Sequence, residues 1–137
     1  MDAEAAIAKL MSPEIESEIR GMIDAGVGTK EDARVAIEEA LGARDSFVEV
    51  LRPIDDEEQV MLTLAIHYIE MKSRWIALNT KMNYSLFRTG NPDEPAMLRG
   101  TAMSTLLMLI EGMLTPDDVD QITEFLAEPI GREREAA

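Results

Sequence analysis

The sequence predicts an all-α protein, a bundle of five to seven helices around a long central helix at about 55–88 and an antiparallel return helix at about 94–114. Three observations predict it. Met61, Leu64, Tyr68, Met71, Trp75, Leu78 and Met82 recur at alternating steps of three and four, the spacing of a helix seam packed lengthwise on another helix. A second apolar line, Leu62, Ile69 and Ile76 with Ile66 nearby, runs beside the first, so this helix is expected to face neighbours on two sides. Helix start and stop signals punctuate the rest of the chain, and no alternating stretch reads as a strand hairpin.

Taken in order, residues 3–10 fit a short helix through Ala3, Ala6, Ile7 and Leu10, with a strand as the alternative. Ser12-Pro13 starts the next, Ser as N-cap and Pro at the first helical position, with Ile15, Ile19, Met22 and Ile23 as its apolar stripe and Gly26 as terminator. Thr29 with Asp32 three residues on resembles a capping box, followed by Ala33, Ile37, Ala40 and Leu41, with Gly42 as the stop. Asp45 then caps a short helix holding Phe47, Val48, Val50 and Leu51, closed by Pro53. Asp55-Asp56-Glu57-Glu58 opens the long helix, its acids complementing the helix dipole.

A helix running to about Arg88 would be about 50 Å long. A compact domain of this size has a radius of gyration near ~14 Å. Such a beam either bends near Asn79, Thr80 and Asn83 or pairs with another chain, and pairing is the expectation. Thr89-Gly90-Asn91-Pro92-Asp93 reverses the chain. The return helix buries Met103, Leu106, Leu107, Ile110, Met113 and Leu114, and Ala96, Gly100 and Ser104 form a line of small residues that permits close approach. Thr115-Pro116-Asp117-Asp118 starts a last helix with Val119, Ile122, Phe125 and Leu126 inward; Pro129 ends it, and the tail 131–135 is charged. The whole chain, 1–137, reads as one helical domain, with a break near Pro53 as the alternative division into 1–53 and a hairpin piece 54–130.

Composition narrows the function. Apolar residues make up 46% of the chain and aromatics only 4%, so aliphatic side chains and ten methionines fill the core or line a groove. A formal charge of −14 repels phosphate backbones, which argues against nucleic acid as a partner and suits a soluble protein, a basic protein partner or a salty cytoplasm. Without cysteine there is no disulfide, thiolate or Cys-ligated metal chemistry. The acidic start Met1-Asp2-Ala3-Glu4 lacks an apolar core of signal length, and no apolar run is long enough to span a membrane, so a cytoplasmic location is expected.

No catalytic constellation is complete. His67 and Glu70 share a side of the long helix, and Glu111 on the return helix is the nearest third group. Helical carboxylate metal sites use Glu-x-x-His on two helices, and this chain has a single histidine. The structural expectation is that His67 flanks the seam, Glu70 pairs with Arg74, and Glu111 points outward toward Lys72 or Arg74. Gly26-Val27-Gly28-Thr29-Lys30 lacks the spacing of a phosphate loop and reads as a turn between capped helices. The acids at 55–58 and 117–120 lack calcium-loop spacing.

Ser12-Pro13-Glu14-Ile15, the turn Gly26-Val27-Gly28-Thr29, and Asp32 with Ala36 and Ile37 together resemble the helical half of a ribbon-helix-helix DNA-binding protein over residues 12–41. That resemblance implies DNA contacts from a preceding strand. Here the strand position, Ala5-Ala6-Ile7-Ala8-Lys9-Leu10-Met11, carries one basic residue.

The expected function is a non-enzymatic protein–protein interaction module, an adaptor, scaffold or assembly factor acting as a homo-oligomer and binding another protein as well. Its candidate interface is the seam Met61, Leu64, Tyr68, Met71, Trp75, Leu78 and Met82, with Trp75 either core or groove. No cofactor or metal is expected. The alternatives are a regulator of a nucleic-acid process, through segment 12–41 or as an acidic decoy, and a small helical enzyme using His67 and Glu70.

Overall fold

Each helix begins where a side chain satisfies backbone amides that the first turn leaves free. Asp2 accepts from the Ala5 amide at 2.8 Å and opens α1, Ala3–Leu10. Ser12 caps α2, Pro13–Met22, whose proline needs no amide partner. Thr29 and Asp32 exchange hydrogen bonds of 3.0 and 3.1 Å in a full capping box at the start of α3, Lys30–Leu51. Asp56 caps α4, Glu57–Thr89, and Asp93 caps α5, Glu94–Met113, from the Ala96 amide at 3.0 Å. Thr115 and Asp118 make a second reciprocal pair before α6, Pro116–Ala127. The computed structural model describes residues 1–23 and 26–127, and for Met22, Ile122, Phe125 and Leu126 the backbone alone. The expected stop at Pro129 and the charged tail 131–135 lie outside the described residues.

The described chain is a bundle of six helices with no strand among the described residues. Gly90, in the left-handed region at φ 78°, ends α4 and turns the chain into α5. The two helices pack as an antiparallel hairpin, with Trp75 Cδ1 and Leu78 Cβ within 3.9 Å of where a Cβ on Gly100 would stand. The most surrounded helix is α5 rather than α4. It packs against α4, α3, α2 and α1, and ten of its 20 residues are buried, on all but the face of Met97, Thr101, Ser104, Met108 and Glu111. A single apolar cluster joins α1 to α5 through Leu10, Ile19, Phe47, Leu64, Met103 and Leu106, drawing on both sides of Pro53. Two polar links tie distant segments: the Gly28 amide donates to Glu94 Oε2 at 2.8 Å, and Arg99 Nε donates to Glu39 Oε2 at 2.9 Å.

One expectation holds over its alternative and two change. Residues 3–10 are helix, because Asp2 caps them and Ala3, Ala6 and Leu10 bury one helical face. Gly42 does not stop a helix: α3 runs unbroken to Leu51, with no separate helix begun at Asp45. A glycine inside an exposed helical turn costs only about 1 kcal/mol, and the burial of Phe47, Val48 and Leu51 on the same face as Ala36 and Ala40 outweighs it. Gly26 is not the terminator of α2, which ends at Met22; the turn into α3 uses Gly28, at φ 67°.

Gly28 and Gly42 are expected to respond oppositely to alanine. At Gly28 a Cβ would enter the left-handed region and stand 3.0 Å from Leu98 Cδ1 and 3.2 Å from Asp32 Oδ2. At Gly42 nothing lies within 4 Å. Gly28→Ala should lower the unfolding free energy by about 1–2 kcal/mol, and Gly42→Ala should raise it by about 0.5–1 kcal/mol. Urea titration of both variants checks this, and a shift of the same sign in both would contradict it.

Candidate interaction surface

The seam of α4 is occupied by the chain itself. Leu64, Tyr68, Met71 and Leu78 are buried in the monomer, largely under α5, so a second chain has no access to them. Met61, Trp75 and Met82 are half-buried at the margin. Trp75 and Met82 line a shallow groove of about 360 Å³ against Ala96, Met97 and Gly100 of α5. Lys72 Nζ stands 5.9 Å from the Trp75 ring and 5.8 Å from that of Tyr68. Trp75 is thus neither a sealed core residue nor an open hot spot.

The second apolar line is the one left open. Leu62 is 45% exposed and Ile76 50%, with Ile66 and Ile69 half-buried between them. Beyond Leu78 no residue of α4 is buried. There Tyr84, Leu86 and Phe87 join the exposed apolar set, and Phe87 is 86% exposed. Phe87 comes eleven residues after Ile76, three helical turns on the same face. That spacing is the available signal for Phe87, and attention to the seven-residue seam passes over it.

Charge divides α4 lengthwise. Asp55, Asp56, Glu57 and Glu58 are consecutive and exposed at its start. From Met71 to Thr89 there is no acid, and Lys72, Arg74, Lys81 and Arg88 are all exposed. Lys81 Nζ reaches Asp93 only at 3.9 Å, with 65% of its side chain exposed. At the acidic end a groove of about 480 Å³ opens between α4 and α6, lined by Met1, Met61, Leu62 and Ala65 and by the acids Glu57, Glu58 and Asp118. The contribution of Asp118 has no signal in the sequence, because it comes from how α6 docks on α4.

His67, Glu70 and Glu111 do not assemble into a site. The His67 ring stacks on Phe47 of α3, with centroids 3.9 Å apart and planes within 6°. Its Nε2 is buried without a hydrogen-bond partner. Burial pushes its pKa below the ordinary value of 6.5; Glu70 opposes that shift and Arg74 adds to it. Glu70 and Glu111 are exposed, and the expected ion pairs from Glu70 to Arg74 and from Glu111 to Lys72 or Arg74 are not among those of the described residues. No three of His, Cys, Asp and Glu among the described residues gather as metal ligands.

In segment 12–41 Arg20 donates to Glu16, and Arg34 bridges Glu31 and Glu38. Glu31 is held below the usual carboxylate range by its hydrogen bond from Arg34. Both arginines are therefore committed to acids of their own helix. The segment that a ribbon would precede is here preceded by α1, a helix. No helix among the described residues is long and apolar enough to cross a membrane. Comparison with known proteins finds no matching family model, no similar curated protein and no similar solved structure.

His67 makes stability depend on pH with a definite sign. Its pKa is lower folded than unfolded, so in the window between the two the unfolded chain binds more protons. The stability held by neutral His67 is complete above the ordinary value of 6.5 and is lost as pH falls through the depressed one. The urea midpoint should fall between about pH 7.5 and about pH 5.5, and His67→Phe, which keeps a ring against Phe47, should flatten that fall. An equal slope in both proteins would refute the assignment.

Proposed function

We propose that this chain is a non-enzymatic protein–protein interaction module, an adaptor, scaffold or assembly factor that acts as a homo-oligomer. The observation that carries the reading is the apolar line on α4, exposed at Leu62, Ile76 and Phe87 and flanked by Tyr84 and Leu86. A monomer gains nothing from placing a phenylalanine in water at the end of a helix of 33 residues. Fully covering a large apolar side chain is worth about 1.5–3 kcal/mol, so Phe87 offers the most and half-covered Leu62 and Ile76 about half as much each. Exposed apolar patches of this kind mark interaction sites.

The side chains proposed to meet the partner lie beside the buried seam residues Leu64, Tyr68, Met71 and Leu78, and half-buried Met61 at the margin joins them. The alternating seam serves the intramolecular contact with α5, and the line Leu62, Ile69, Ile76 and Phe87 serves the partner. The acidic surface elsewhere keeps the assembly from growing by non-specific contact.

Light scattering on a sizing column tests it. The expected mass is above the 15.2 kDa of one chain. Ile76→Asp and Phe87→Asp should each return the protein to the monomer with helicity unchanged, because neither side chain belongs to the buried cluster. A wild-type monomer at every concentration, or variants that keep the wild-type mass, would overturn the proposal.

A further inference from the structure

The occupant of the α4 surface can be argued from the helix itself. Its two ends are opposite in both shape and charge. One end carries a protruding aromatic, Phe87, next to Arg88 and one turn or two from Lys81. The other carries the groove of about 480 Å³ with apolar Met61 and Leu62 and three acids, Glu57, Glu58 and Asp118, against one terminal residue, Met1. A protrusion flanked by cations fits an apolar groove lined by acids, and the two lie on the same helix 25 residues apart, counting from Leu62 to Phe87.

We infer that two copies of this chain pair antiparallel along α4, the Phe87–Arg88 end of each seated in the Met61–Leu62 groove of the other. This rests on the reading of α4 as a self-association surface and adds its direction. A two-fold axis near Ser73, the midpoint of Glu57–Thr89, brings both ends into register at once. Ile69 of one copy then lies across from Ile76 of the other, and Leu62 across from Asn83. Leu62, Ile69, Ile76 and Asn83 are each seven residues apart.

Parallel pairing is disfavoured by the same charges. It would set Asp55–Glu58 against its own copy and Lys81 and Arg88 against theirs, in a chain already at −14. The antiparallel arrangement sets the acid-free stretch Met71–Thr89 against the acidic start.

Because the chain has no cysteine, single spin labels can be placed cleanly. Thr89→Cys and Ser73→Cys, labelled in the full chain, are read by pulsed electron–electron distance measurement alongside the solution mass. Antiparallel pairing puts the two Thr89 labels roughly 50 Å apart and the two Ser73 labels about 10–20 Å apart. A dimer with Thr89 labels also at about 10–20 Å overturns the direction and leaves self-association standing. A monomer at all concentrations overturns both. A monomer whose Thr89 label is immobilised by duplex DNA or by phosphatidylserine vesicles gives the surface another occupant and likewise overturns the pairing. Charge reversal is an independent arm: Arg88→Glu should weaken the dimer about tenfold, and adding Glu58→Lys should restore it. Loss without rescue overturns the tip-in-groove contact.

Discussion

A helix that is apolar around most of its circumference has to be surrounded, and α5 imposes that requirement on this fold. Leu98, Ala102, Met103, Leu106, Leu107 and Ile110 leave it no broad polar face. Four of the other helices lie against it. The small residues at Ala96 and Gly100 let α4 come close, and Gly90 sets the reversal that makes the two antiparallel. α3 is secured from its other side, with the Arg99–Glu39 bond at its middle and the Glu94 carboxylate on the Gly28 amide just before its start. Each polar link is worth little alone, but each specifies how a long helix sits along α5.

The open surface is a consequence of that arrangement. α4 has 33 residues and α5 has 20, so the hairpin cannot cover the longer partner along its whole length or around its circumference. Burial on α4 stops at Leu78, and the remaining turns form an exposed helix end with Tyr84, Leu86 and Phe87 in water. α6 adds cover only near the start of α4, where it builds the acidic groove with Asp118. Length leaves the end of α4 beyond Leu78 uncovered, while Leu62 and Ile76 stay exposed because they lie on a face turned away from α5.

His67 shows how the same packing disposes of a residue that invites a chemical reading. Stacked on Phe47 with Nε2 buried, its pKa pushed down by burial, it spends its ring on the contact between α3 and α4. Glu70 and Glu111, the acids that the residue pattern groups with it, stay in water.

Much of the architecture was legible in the residues, because helix ends are decided locally. Ser12-Pro13, Thr29 with Asp32, Asp56, Gly90 and Thr115-Pro116 each act on amides or carbonyls within a few residues, so their pattern is sufficient. The long helix, its return and the alternating seam were legible for the same reason. Gly42 was misleading because its local preference was overridden by the burial of Phe47, Val48 and Leu51 farther along α3. For the candidate surface, the sequence by itself determined that α4 carries two apolar lines and a reversal of charge from one end to the other. Only the tertiary structure decided which line is covered. Periodicity says that a face is apolar but carries no information on which neighbour arrives, and here the docking of α5 closes the Leu64–Met71–Leu78 line and leaves Leu62, Ile76 and Phe87 to the solvent.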